Sequence, residues 1–183
     1  MLRARLYNKS TKAEIFRSAS EYGFDDLIIV PYVNVSMSNS ESGSVKVTKR
    51  HLDGWGVSSG EVIDIALGNV AKLGKITDLV DIISGRTGMP KEMFDDNGFM
   101  KVINIIENCG LYGAISVVTC RSQLREMFPG GYYVIPSSIH ECIVVPMIEE
   151  ADIKELTEMV KIVNAEEVAP EDILSDHVYE VAG

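Results

Sequence analysis

The sequence predicts an α+β fold: an antiparallel sheet built from hairpins, with helices packed mainly on one face. Two observations carry this. Pairs of short runs rich in β-branched and aromatic residues flank polar breaks, most clearly Tyr132–Pro136 and Cys142–Val145 around Ser137-Ser138-Ile139-His140-Glu141. Two stretches, after Ser58 and over Asp152–Asn164, repeat apolar residues at helical spacing. With 183 residues, 46% of them hydrophobic, the chain is expected to form a single α+β domain spanning 1–183.

In chain order, Thr11-Lys12-Ala13-Glu14 has the pattern of a capping box and predicts a short helix through Tyr22, stopped by Gly23. Asp25–Ser36 reads as a strand in which Pro31 cannot donate to a ladder, which predicts an edge position, a bulge or a bend. Ser36–Gly43 is a polar loop and Ser44–Thr48 the return strand. His51–Gly56 reads as a turn or helical cap in which Trp55 is expected to anchor by packing. Ser58 and Glu61 form a capping box opening a helix with Val62, Ile63, Ala66, Leu67, Val70 and Leu73 on its apolar stripe, ended by Gly74. Ile76–Ile83 is expected as a second short helix, and Ser84–Asn97, broken by Gly85, Gly88 and Pro90, as an irregular connector.

Phe99–Ile106 and Gly113–Thr119 are expected as another hairpin with Glu107–Tyr112 as its loop, followed by a helix over Arg121–Phe128. After the Tyr132–Pro146 hairpin comes the Asp152–Asn164 helix, with Ile153, Leu156, Val160 and Val163 on one face. A turn at Ala169–Asp172 and a terminal strand over His177–Val181 close the chain. Val45–Arg50 and Ser116–Arg121 share a Val-Thr-x-Arg junction, the trace of a weak ββα duplication whose halves would meet near 84–98.

A net charge of −10 argues against nucleic acid, which needs clustered Lys and Arg, and the acidity reads as spread along the chain. Cys109, Cys120 and Cys142 have neither disulfide-framework nor zinc spacing, and free thiols suit a reducing cytoplasm. The N-terminus lacks the apolar core of a signal peptide, and no apolar run is long enough for a bilayer, so no membrane role is expected. Gly68 to Gly74-Lys75 has the wrong spacing for a phosphate loop and Ile76 where a hydroxyl is required. Asp95–Gly98 reads as a plain turn rather than a calcium loop.

The chemistry-bearing residues concentrate in two places, the 137–141 hairpin tip and Ser175-Asp176-His177. Ser137 or Ser138 with His140 or His177 and Asp176 could supply a nucleophile, a base and an orienting acid, although neither a strained elbow nor an oxyanion-hole signature accompanies them. His140, Glu141, Asp176 and His177 have donor types that suit a divalent metal, but neighbours on a strand point to opposite faces, so no metal or other cofactor is expected. The favoured reading is a binding surface made of Pro136, Ser137, Ser138, His140, Glu141, Ser175, Asp176, His177 and Tyr179, for a protein partner.

Tyr133–Glu141 and Glu166–Tyr179, with Phe24–Val30 and His51-Leu52-x-x-Trp55-Gly56-Val57, resemble the pattern of a bacterial family catalogued as domain of unknown function 5688, found mainly in Firmicutes. A more distant likeness is to domain of unknown function 1444. Family members extend further at the N-terminus, and the chain departs from them at Cys120-Arg121-Ser122, where a tyrosine-proline turn is commoner. The resemblance implies a bacterial cytosolic protein, carried in some cases on mobile elements, and supplies no reaction. Two functions stay open: a non-enzymatic binding or regulatory module, and a small hydrolase or metal-dependent enzyme built on the two clusters.

Overall fold

The structure, a computed structural model, describes residues 1–36, 42–93, 100–105, 111–147 and 153–183. In order these form β1 (Leu2–Asn8), β2 (Arg17–Ala19), β3 (Phe24–Ser36), β4 (Ser42–Lys46), α1 (Lys49–Trp55) and α2 (Ser59–Ala71). Then follow β5 (Gly74–Asp78), α3 (Leu79–Thr87), β6 (Lys101–Ile105), α4 (Ser116–Thr119), α5 (Arg121–Met127), β7 (Tyr132–Ile135), β8 (Cys142–Pro146), α6 (Ile153–Glu167) and β9 (Tyr179–Val181). The α+β class stands, with the strands divided between two antiparallel sheets rather than gathered in one. The 37–41 part of the expected Ser36–Gly43 loop, the Asp95–Gly98 turn, the 107–110 part of the expected hairpin loop and Cys109 lie outside the described residues.

The first sheet is organised around β3. On one side β1 pairs with it from Leu27 to Val33, and on the other β2 and β4 share the flank. β2 reaches Ile29 and β4 starts opposite Tyr32, so Pro31 falls in the interval between them. Its carbonyl, which shares a side with its ring nitrogen, accepts from Val47 N at 3.0 Å. The missing donor is therefore tolerated inside a central strand, because the flanking ladder is interrupted at that residue. Strand alternation sends Ala4, Leu6, Leu27 and Ile29 to one face, where Val62, Ile63, Ala66 and Val70 of α2 meet them.

The second sheet runs β5-β6-β8-β7-β9. Its inner face contributes Ile103, Cys142, Val144, Val134 and Tyr179 to the same core, together with Leu124 of α5 and the buried segment from Ala114 to Val118. Its outer face forms a smaller cluster in which Tyr133 and Val178 meet Val160 of α6.

Four elements differ from expectation. No helix forms over Thr11–Tyr22: Arg17–Ala19 pairs with β3 and a 3-10 turn follows at Ser20–Tyr22, closed as expected by Gly23 at φ 93°. An isolated helix of that length is marginal, and the ladder along β3 buries Ala19 completely. Gly113–Thr119 is a 3-10 turn running into α4, not a strand, and is buried from Gly113 through Val118. A short apolar run buried all round lacks the periodicity that separates strand from helix. The two Val-Thr-x-Arg segments thus differ, one leaving a strand and the other helical.

Gly74 opens β5 instead of ending α2; the 76–83 segment divides into that strand and α3, which runs on through Thr87 of the expected connector. A side chain at Gly74 would collide with Cys120 Sγ, which explains why the strand starts on glycine. Trp55 is exposed and stacks on His51 with ring centroids 5.4 Å apart, so it does not anchor the core.

Candidate functional site

The β7–β8 hairpin presents the tip much as its sequence suggests. Ser138 N donates to Glu141 O at 3.1 Å, and Ser138 Oγ accepts from His140 N at 3.1 Å. Ile139 is 3% exposed and plugs into the core, held by Ala114 N on its carbonyl and by its own N–H on Asp172 O at 2.9 Å. His140 accepts from Tyr112 N through Nδ1 at 3.0 Å, which assigns its neutral form to the Nε2–H tautomer, and Nε2 lies 3.4 Å from Asp172 Oδ2. Tyr112 sets its ring against the imidazole, and the Arg5 guanidinium lies 3.5 Å from the Tyr112 centroid and 4.1 Å from that of Tyr32. The tip is thereby bolted to the segments on both sides of it.

The second cluster gathers on Asp26, near the start of β3. Tyr179 OH donates to Oδ1 at 2.7 Å, Ser175 Oγ to Oδ2 at 3.1 Å and Asn8 Nδ2 to Oδ2 at 3.4 Å. Burial pushes the Tyr179 phenol well above its usual range, and the adjoining Asp26 carboxylate pushes in the same direction. His177 Nδ1 is 3.1 Å from Ser175 Oγ, while its Nε2 stands 3.9 Å from Asp26 Oδ1, too far for a hydrogen bond. Asn164 of α6, 4% exposed, donates to Ser175 O and to Asp176 Oδ1, each at 2.9 Å.

Serine, histidine and aspartate therefore meet, but not as a catalytic triad. In a triad the imidazole takes the serine proton while the acid orients the other ring nitrogen. Here Ser175 is 2% exposed and its proton goes to the carboxylate itself. Among the described residues neither Ser137 nor Ser138 bonds an imidazole through its hydroxyl, and the two histidines face different acids, Asp172 and Asp26. No group of three or more His, Cys, Asp or Glu among the described residues is arranged to hold a metal ion. Burial raises the Cys142 and Cys120 thiols above their ordinary range, which opposes thiolate chemistry at both.

What the two clusters border is an apolar groove of about 250 Å³ between α6 and the outer face of the second sheet. Ile135, Pro136, Ser137 and Ile143 come from the hairpin, Met100 from just before β6, and Leu156, Met159, Val160, Val163 and Asn164 from α6. Pro136 and Ser137 belong to the surface expected from the sequence, and Asn164 ties the groove wall to Ser175 and Asp176. Glu141, Asp176 and His177 lie at least partly exposed nearby in the chain, whereas Ser175 and Tyr179 are buried.

Sequence reasoning missed Asp26, Asp172, Asn164 and the α6 wall. The signal for the wall was present: Met159 and Ile162 widen the helix's apolar stripe beyond one packing face, and both remain more than half exposed. The site thus defines an α+β protein with an apolar cleft beside two polar clusters whose hydrogen bonds are internal. By sequence the chain matches the model of a family of unknown function (DUF5688) over residues 1–181, and it belongs to that family. No curated protein and no solved structure matches it.

Proposed function

We propose that this protein is a non-enzymatic binding module that receives a segment of a partner protein in the groove between α6 and the β7–β8 hairpin. The observation that carries this reading is the groove's open apolar wall, where Met159 is 54% and Val163 45% exposed beside the buried Val160. Apolar side chains held together at a cleft mark interaction sites on soluble folds. Two residues outside the suspected catalytic set brace this wall: Asn164 fixes α6 to the C-terminal segment, and Asp172 holds that segment to the hairpin tip. Among the described residues no helix is long and apolar enough to cross a membrane.

The test is a titration with an apolar environment-sensitive dye, followed by backbone amide shifts. Shifts at Ile135, Ile143, Val160 and Val163 that vanish in a folded Val163→Lys variant are expected. Shifts confined to His140 and His177, with turnover of ester substrates that Ser137→Ala or Ser138→Ala abolishes, would replace this reading by the hydrolase.

A further inference from the structure

We infer that the groove's occupant is a cationic amphipathic helix of the partner protein; this rests on the groove reading above. The charge of the chain is not spread as its composition suggests. Residues 1–131 hold fifteen Lys and Arg against fifteen Asp and Glu, whereas residues 132–183 hold twelve acids against two lysines. The entire net charge of −10 therefore lies in the segment that supplies the hairpin, α6 and β9.

Helical geometry refines this. At 3.6 residues per turn, Glu166 borders the groove stripe of α6 on its Met159 side, while Lys154 and Lys161 lie on the other flank, beyond Asn164. Lys161 is already paired there, 2.7 Å from Glu158. At the groove's other margin Asp176 is exposed and bonded to the lining residue Asn164. An apolar floor with an acidic rim is complementary to a segment bearing apolar residues flanked by Lys or Arg.

The groove floor indicates the conformation of that segment. Among the described residues its sheet side is made of Ile143 of β8, paired on both sides, Ile135 at the end of β7, and Met100 just before β6. An extended peptide would meet a strand already paired on both sides at Ile143, whereas a helix brings its own backbone hydrogen bonds and needs only a place for its apolar face. Met100 and Met159 supply unbranched, adaptable side chains suited to such a face.

A displayed library of peptides with helical patterning, random in charge and in apolar content, tests the inference on the whole protein. Enriched peptides are expected to carry net positive charge and apolar residues at helical spacing, and to gain helicity on binding. Their affinity should fall about tenfold between low and high salt, weaken several-fold with Glu166→Lys, and be lost with Val163→Lys, each variant first shown to be folded. Peptides that need Val163 but are neutral or acidic, or bind without becoming helical, would overturn the cationic helix and leave the groove standing. No enrichment, or enrichment indifferent to Val163→Lys, would overturn the groove reading as well.

Discussion

α2 and α6 are both amphipathic helices laid on a sheet, and they use their apolar faces differently. α2 sends Val62, Ile63, Ala66 and Val70 into the core against β1 and β3, each at most 2% exposed. α6 buries Val160 and Asn164 alone among its fifteen residues, leaving Met159, Ile162 and Val163 in solvent. One helix commits its hydrophobic face to holding the fold, and the other keeps part of that face open. The difference shows where apolar surface is structural and where it stays available for another molecule.

That contrast can be broken most sharply at Ile63. Ile63→Ala removes a nearly fully buried side chain from the face where α2 meets the first sheet and should destabilise by about 3 kcal/mol in urea unfolding. A loss below about 1 kcal/mol would place α2 with α6 as a loosely applied helix.

The cluster on Asp26 gives the next effect. Tyr179→Phe removes the hydroxyl that bonds Asp26 and should cost about 2 kcal/mol, the scale of a hydrogen bond to a charged group. The pH dependence has a definite sign. Tyr179 holds its proton in the folded state beyond the usual range, so above about pH 10 the unfolded chain releases protons first and stability falls as pH rises. Alkaline denaturation monitored by tyrosinate absorbance should show this fall in the wild type, and Tyr179→Phe should lessen it.

Ser58→Ala sharpens the comparison at the start of α2. Ser58 Oγ accepts from Glu61 N at 3.2 Å and the Glu61 carboxylate accepts from Ser58 N at 2.8 Å, so the substitution should cost about 1 kcal/mol. The capping bond draws the Glu61 carboxyl below its ordinary value, and its support is present at neutral pH and lost as acid protonates it. Helical signal during an acid titration would follow that loss. The smallest effect belongs to the open wall of α6: Met159→Ser should change stability by no more than about 0.5 kcal/mol, as at an ordinary surface position. A larger loss in thermal or urea unfolding would mean that Met159 is already packed, closing the groove.

Legibility in the sequence followed the strength of local patterns. The Ser58–Glu61 capping box, the α2 stripe, the β7–β8 hairpin and the terminal β9 pairing were readable because residue type and period agreed there. Arg17–Ala19 and Gly113–Thr119 were not, since pairing with β3 decided the first and burial on every side the second. At the candidate site, the sequence singled out the 137–141 tip and Ser175-Asp176-His177 as two clusters of interest. It was silent on Asp26, 149 residues away from Ser175, whose carboxylate takes the Ser175 hydroxyl.

Residues close together in the chain were enough to set the α+β class, the two amphipathic helices and the β7–β8 hairpin. The crowding of acids into residues 132–183 is likewise a property of the sequence alone. Folding in three dimensions settled the rest: that β3 has two partners on one flank, that Asp26 meets Ser175 and Tyr179, and that α6 leaves a groove beside the hairpin. The physical reason is range. Capping, periodicity and turn chemistry act over a few residues, whereas strand partners, buried carboxylates and open clefts are set by packing between segments far apart in the chain.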